Sequence, residues 1–257
     1  MKHSVTTSLL IMGLGALAVS SANAENIGNR YGYPVLYNSE ISSARAWLEA
    51  SDNKWNPSKE QDHHENDDHA KKPVILDVRR IEEYVAGHPV GSYNIPFPHV
   101  TKSPLTANDN TSGYIGYDIS DDPDVNVQGV SKDGTLTIQS FVDYVESIFP
   151  DKDQPLYLLC ATGRRSVQAS NALAKYGHYT QVKNIWEGYT GLNKYAVNAT
   201  GGAIDPLIEL DLNNDGVLDD NDKDGWAYYQ GLPTETKLKK KLLFQPRLSL
   251  YPIPPAK

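Results

Sequence analysis

Cysteine is almost missing from this chain: of 257 residues only Cys160 is one, so no disulfide can form within it. Positive charge is also short. Lys and Arg number 24 against 32 Asp and Glu, a formal net charge of -8, and no basic stripe interrupts the acidic balance. This argues against a nucleic-acid partner, whose phosphates call for clustered cations. Lys237, Lys239, Lys240 and Lys241 form a short basic run that reads as a solvated face. Long apolar stretches are lacking too. The one around residues 9–19 falls short of the roughly 20 residues that a membrane-spanning helix needs.

That short stretch follows Met1-Lys2-His3 and leads to Ala22-Asn23-Ala24, the positive start and small-residue end of a secretory signal. Residues 1–24 are therefore expected to be a signal peptide cleaved after Ala24. Lys2 is the only Lys, Arg, Asp or Glu among them, so the mature chain carries 23 cations against 32 anions, a net charge of -9. The protein is expected to be exported, periplasmic or secreted, with no membrane attachment once the signal is gone. In such a compartment an unpaired thiol is reactive or pairs with another molecule.

The thiol sits in Leu158-Leu159-Cys160-Ala161-Thr162-Gly163-Arg164-Arg165-Ser166, where an apolar run enters a tight loop that opens a helical pattern. Converging backbone N–H groups, a helix N-terminus behind them and two guanidinium groups favour a thiolate there, which reads Cys160 as a nucleophile. A buried, inert thiol is the competing reading.

Periodicity places this loop in an α/β layout. Residues 33–37 read as a short strand and residues 42–50 as a helix with Ala44, Trp47 and Leu48 on one face. Residues 73–78 and 156–160 are mostly apolar runs of the kind found in buried parallel strands. Between them Ile138, Phe141, Val142, Val145, Ile148 and Phe149 recur at helical spacing until Pro150. Ala169, Ala172, Leu173 and Tyr176 mark another helical face, and residues 182–186 a further strand. Alternating strands and helices predict an α/β sandwich with the Cys160 loop at the C-terminal end of a strand, where open sheets bind ligands. Residues 51–72 and 99–133 are polar insertions; the second, with Tyr114, Ile115 and Tyr117, reads as a surface insertion or a lid.

The loop resembles the active-site loop of single-domain members of the rhodanese family of sulfurtransferases, with its Cys-x-x-Gly-x-Arg-Ser pattern. Upstream, Val74-Ile75-Leu76-Asp77-Val78-Arg79, Glu83-Tyr84 and Gly87-His88-Pro89-Val90-Gly91-Ser92-Tyr93-Asn94-Ile95-Pro96 are similar to that family's first signature. Downstream, Val182-Lys183-Asn184-Ile185-Trp186-Glu187-Gly188-Tyr189 resembles its closing strand and turn. The resemblance implies a rhodanese-like three-layer sandwich around a central, mainly parallel sheet over residues 33–195. Residues 196–257 would form a small C-terminal appendage.

It also implies a chemistry. Cys160 would take sulfane sulfur from thiosulfate or a similar donor, hold it as a persulfide, and pass it to a thiol or cyanide acceptor, with no cofactor required. Ala161, Thr162, Gly163 and Arg164 would line the anion with backbone N–H groups. Arg165, at the last loop position, matches the arginine that closes the ring and faces the substrate anion, and Ser166 completes the pattern. Arg164 would steer anions inward. Phosphatase-like relatives carry one more loop residue; the four residues between Cys160 and Arg165 resemble the sulfur-transferring form. Asp77, Arg79 and Glu83 read as supporting residues, with Arg79 and Glu83 an i,i+4 pair. His88 reads as packed and hydrogen-bonded, and Pro89 departs from the family's usual apolar residue. A sulfur-relay or regulatory binding module with little turnover is the alternative. A calcium-stabilised structural protein is a third class and leaves the Cys160 loop unused.

Two metal features remain. Residues 211–222 resemble a calcium-binding EF-hand loop, with Asp211, Asn213 and Asp215 at ligand positions 1, 3 and 5, Gly216 at the turn, the Val217 carbonyl next, then Asp219 and finally Asp222 in place of the usual Glu. A weak structural calcium site stapling the C-terminal extension is expected. His63, His64 and His69 lie among Asp62, Glu65, Asp67 and Asp68 without a framework to fix geometry, and read as a solvated loop.

Overall fold

The structure is a computed structural model; it describes residues 29–51, 71–101, 136–197, 201 and 206–253. The expected leader, most of both polar insertions and the histidine-rich segment lie outside the described residues. Five strands form one parallel sheet: β1 (Ser39–Ile41), β2 (Val74–Asp77), β4 (Tyr93–Asn94), β5 (Leu156–Leu159) and β6 (Val182–Ile185), in the order β1-β6-β5-β2-β4. Strand β5, which leads into Cys160, is therefore central.

The pleat divides the apolar residues between two faces. On one side Leu76, Leu156, Leu158 and Val182 join Ile81 and Tyr84 of α2 (Ile81–Ala86), Ile138, Phe141, Val142 and Val145 of α3 (Ile138–Ile148), and Val167, Ala169, Ala172 and Leu173 of α4 (Arg164–Lys175). On the other side Ile75, Tyr157, Leu159 and Ile185 meet Ala46 and Trp47 of α1 (Ser43–Ala50) and Trp226. This is the α/β sandwich with a central parallel sheet that the alternation predicts.

Helix α1 begins where a hydroxyl caps it, the Ser42 side chain accepting from Arg45 N–H. Thr137 does the same for α3. The strand expected over residues 33–37 is not in the sheet; the edge strand is Ser39–Ile41, a few residues later. Pro34 has no N–H to give a ladder. The extended stretch is instead held by Asn171 of α4, whose Oδ1 accepts from Leu36 N–H at 2.7 Å and whose Nδ2 donates to the Pro34 carbonyl at 2.8 Å.

The C-terminal residues pack tightly against this core. Trp226 is fully buried against Trp47 in an edge-to-face pair with centroids 6.0 Å apart, and Leu243, Phe244 and Tyr251 join the α3/α4 side. Removing roughly 200 Å² of indole from water at about 25 cal/mol per Å² contributes at most about 5 kcal/mol. Strand β7 (Thr234–Glu235) pairs antiparallel with β3 (His88–Pro89). Pro246 lies in a 3-10 turn spanning Gln245–Leu250. Among the described residues no helix is long and apolar enough to cross a membrane.

Candidate functional site

Three loops leave the C-terminal ends of the adjacent strands β2, β5 and β6 and meet at Cys160. The sulfur-bearing residue is only 1% exposed, at the foot of its loop, and Ser166 Oγ lies within hydrogen-bonding reach of Sγ at 3.6 Å. Gly163 takes φ +90° and opens α4; a Cβ there would lie 2.2 Å from the Trp186 carbonyl oxygen, so glycine is required on two counts.

The loop carbonyls are turned away and fastened. Cys160 O accepts from Tyr189 N–H at 2.7 Å, Ala161 O from the N–H groups of Thr190 and Gly191 at 2.9 and 3.0 Å, and Gly163 O from Val167 N–H at 3.3 Å. In a planar trans peptide the N–H points opposite to the C=O. Fixing these oxygens outward therefore turns the following N–H groups toward the hollow of the loop. The N–H groups of Ala161, Thr162 and Gly163 make no hydrogen bond with any described residue, so they stand ready for an anion.

Arg165 is largely buried. Its Nη1 and Nη2 donate to Glu83 Oε2 and Oε1, both at 2.8 Å, a bidentate pair with the guanidinium side chain 11% exposed. Glu83 also accepts from the N–H and Nε of Arg80. Burial alone would raise the Glu83 carboxyl, but Arg165 and then Arg80 hold it far below the usual carboxylate range. The expected Arg79–Glu83 pairing is not what forms. Arg79 turns back to Asp77, donating from Nε at 3.0 Å and Nη2 at 2.6 Å, and Nη2 also reaches the Gly87 carbonyl at 2.6 Å. Its neighbour Asp77, two residues away and fully buried, wins because Glu83 is already occupied by two other arginines. The Arg79 guanidinium lies 3.7 Å over the Tyr189 ring, and Tyr189 N–H holds the Cys160 carbonyl, so this pair braces the loop from behind. Arg164 Nε donates to the Tyr33 hydroxyl at 2.7 Å. His88 is buried, stacked on Tyr84 with centroids 3.8 Å apart and Nδ1 2.9 Å from the Tyr84 carbonyl.

Residues to which the sequence assigned no role of their own also shape the site. Gly188, at φ +75°, lets the turn after β6 approach so closely that a Cβ would lie 2.6 Å from the Ala161 carbonyl. Tyr31 places its hydroxyl on Thr162, 2.7 Å from the carbonyl and 2.8 Å from Oγ1. His99 lies near Arg165, Arg80 and Glu83. Burial first, then the two guanidinium charges, push its pKa down from 6.5 to about 4, against a small opposing pull from Glu83.

A depressed histidine pKa means that between about pH 4 and 6.5 the unfolded chain binds the proton that the folded one refuses. The stability linked to neutral His99 is thus whole above 6.5 and is lost as pH falls toward 4. Discounted for partial exposure, the loss is roughly 2 kcal/mol. Urea unfolding of wild type and His99→Gln at neutral pH and near the lower limit should show the variant losing less across this window. Equal losses would remove His99 from the account.

In the C-terminal segment, Asp211 accepts from the N–H groups of Asp215 and Gly216, and buried Asp222 from those of Leu212, Asn213 and Asp219. Asn213 Oδ1 accepts from Asp215 N–H, Asp215 Oδ1 from Val217 N–H and Asp219 Oδ1 from Asn221 N–H. Gly216 sits at φ +84°. Among the described residues no three His, Cys, Asp or Glu side chains lie together closely enough to hold a metal ion.

Among solved structures the chain is similar to a rhodanese with anions from E. coli, at 22% identity over 44% of this chain and 82% of that one, with a TM-score of 0.26. It is similar to the rhodanese-like domain of an Anabaena protein at 21% identity, covering 45% and 55% of the two chains with a TM-score of 0.26. A protein from M. tuberculosis matches at 18% identity over 78% and 99%, with a TM-score of 0.39. No curated protein matches the chain. The profile of the rhodanese-like domain matches residues 60–195, more than half the sequence, a span that takes in β2, the Cys160 loop and the turn after β6. On that match the chain belongs to the rhodanese-like domain family, a family of sulfurtransferases.

Proposed function

We propose that this protein is an exported, thiosulfate-type sulfurtransferase that carries sulfane sulfur as a persulfide on Cys160. The observation that supports the reading is the fastening of the loop carbonyls, which leaves inward N–H groups over the cysteine. The Cys160 thiolate attacks the outer sulfur of thiosulfate; the new S–S bond forms as the old one breaks, and its electron pair leaves with sulfite. The persulfide anion then rests among donors that need not move. A cyanide or thiolate acceptor attacks the terminal sulfur, forms its own bond to it, and returns Cys160 as thiolate. Asp77, Arg79 and Glu83 support the loop; Arg164 and Arg165 set the positive field around it.

The test is the intact mass of the protein after thiosulfate exposure, before and after cyanide. The reading expects one added sulfur, located on Cys160 and removed by cyanide. No adduct would overturn it. The near-complete burial of Cys160 favours one second reading, a relay module that loads sulfur but turns over slowly; an adduct that cyanide removes only over hours would select it.

We also propose that residues 211–222 bind calcium as a structural staple. All donors there are oxygens, and the Asp211 and Asp222 carboxylates keep lone pairs beyond the N–H groups they accept. Adding millimolar-range calcium to chelator-treated protein should raise Tm by roughly 4 °C. An unchanged Tm would refute the site.

A further inference from the structure

Four successive loop carbonyls are fastened outward, and one of them differs from the rest. Those of Cys160, Ala161 and Gly163 are held by backbone N–H groups of the turn after β6 or of α4 itself. The Thr162 carbonyl is held by a side chain, the Tyr31 hydroxyl at 2.7 Å. A phenol has one proton to give, so it donates to the carbonyl and accepts from Thr162 Oγ1 at 2.8 Å.

We propose that Tyr31 is a positioning residue that latches the Thr162–Gly163 peptide, keeping the Gly163 N–H aimed into the Cys160 hollow. This rests on the reading of Cys160 as the sulfur carrier. The peptide needs a latch because its second residue is glycine in the left-handed region, φ +90°, where either face of the peptide is sterically open to rotation. Turned over, it would present a carbonyl lone pair to a sulfur anion in place of an N–H. The loss is then double, one donor removed and one repulsive dipole added.

The latch is itself held in place. Asn29 Oδ1 accepts from the N–H groups of Tyr31 and Tyr33 at 3.1 and 3.2 Å, and Asn29 Nδ2 donates to the Tyr33 carbonyl at 2.8 Å. The Tyr31 ring stacks on Tyr33, with centroids 5.8 Å apart and planes 21° apart. Arg30 is tied to Asp224 at 2.7 Å and lies 4.6 Å over the Trp186 ring. Residues on both sides of Tyr31 are thereby anchored to other parts of the fold, and the hydroxyl is presented at a fixed point.

Tyr31→Phe removes the hydroxyl and keeps the ring. Two readouts separate the latch from general support. The first is Cys160 alkylation by iodoacetamide, in which the thiolate displaces iodide, taken as the ratio of the rate near pH 7 to that near pH 10.5, where an ordinary thiol is almost fully ionised. The second is thiosulfate-to-cyanide kcat/KM. Both should fall about tenfold, less than the loss of a direct anion donor, while Tm stays close to wild type. Asn29→Ala, which loosens the bracket without touching the hydroxyl, should produce a smaller fall in both. An alkylation ratio equal to wild type would overturn the latch whatever the turnover shows. If the ratio falls but wild type forms no persulfide, the latch stands and the sulfur-transfer reading fails.

Discussion

Cys160→Ser should lower thiosulfate-to-cyanide sulfur transfer by roughly a thousandfold or more and abolish the sulfur adduct, while the protein stays folded. Serine nearly matches the cysteine in volume, and its hydroxyl can exchange a hydrogen bond with Ser166, so the packing around the foot of the loop has little reason to change. What disappears is the nucleophile. An alcohol stays protonated at neutral pH, among the described residues no base makes a hydrogen bond to the side chain at this position, and the lined-up N–H groups have no anion to hold. Sulfite released by the variant at the wild-type rate would mean that another group attacks the donor, and no second cysteine exists in the chain to do so.

Glu83→Gln is expected to cost roughly 3 kcal/mol of stability at neutral pH, measured by urea unfolding. The carboxylate serves Arg165 through both oxygens and Arg80 as well. An amide keeps one acceptor and turns N–H donors toward guanidinium groups that have only donors themselves. The pH dependence gives a second check. Because the folded-state Glu83 carboxyl is held below its ordinary range, its contribution is complete above the unfolded carboxylate pKa and is lost as pH falls through the folded one. Wild type and variant should therefore converge in stability at strongly acidic pH. A constant difference down to acid would show that shape, and not charge, holds Arg165.

The contrast between these residues and Tyr31 shows what a sequence can reveal. Strands β2 and β5 were legible because each is a mostly apolar run, β6, which carries Lys183 and Asn184, through its resemblance to a closing strand and turn, and α3 because its buried residues recur at helical spacing. Cys160 and Gly163 were legible because a nucleophile and a left-handed turn restrict residue type at single positions. Pairings across long separations left no such trace. Glu83 meets Arg165 from 82 positions away, and arginines at 79, 80, 164 and 165 offered it several partners of the same chemistry. Tyr31 meets Thr162 across 131 positions, from an extended segment without periodicity. Pro34 could have warned against a strand over residues 33–37, since it removes a ladder donor; that the resulting extended arm reaches the loop could not be read from composition.

The burial of Trp226 and Tyr251 bears on the order in which the protein is made. A nascent chain emerging from the ribosome as far as residue 195 already contains every strand of the main sheet and the whole Cys160 loop. It still lacks Trp226 over β5 and β6, the β7 partner of His88-Pro89, and the Tyr251 hydroxyl that donates to Asn94. The sheet face that carries α1 is only partly covered until Trp226 follows. Sulfur loading should consequently begin only after synthesis has passed residue 251, and before then the chain offers an apolar surface for chaperones to hold.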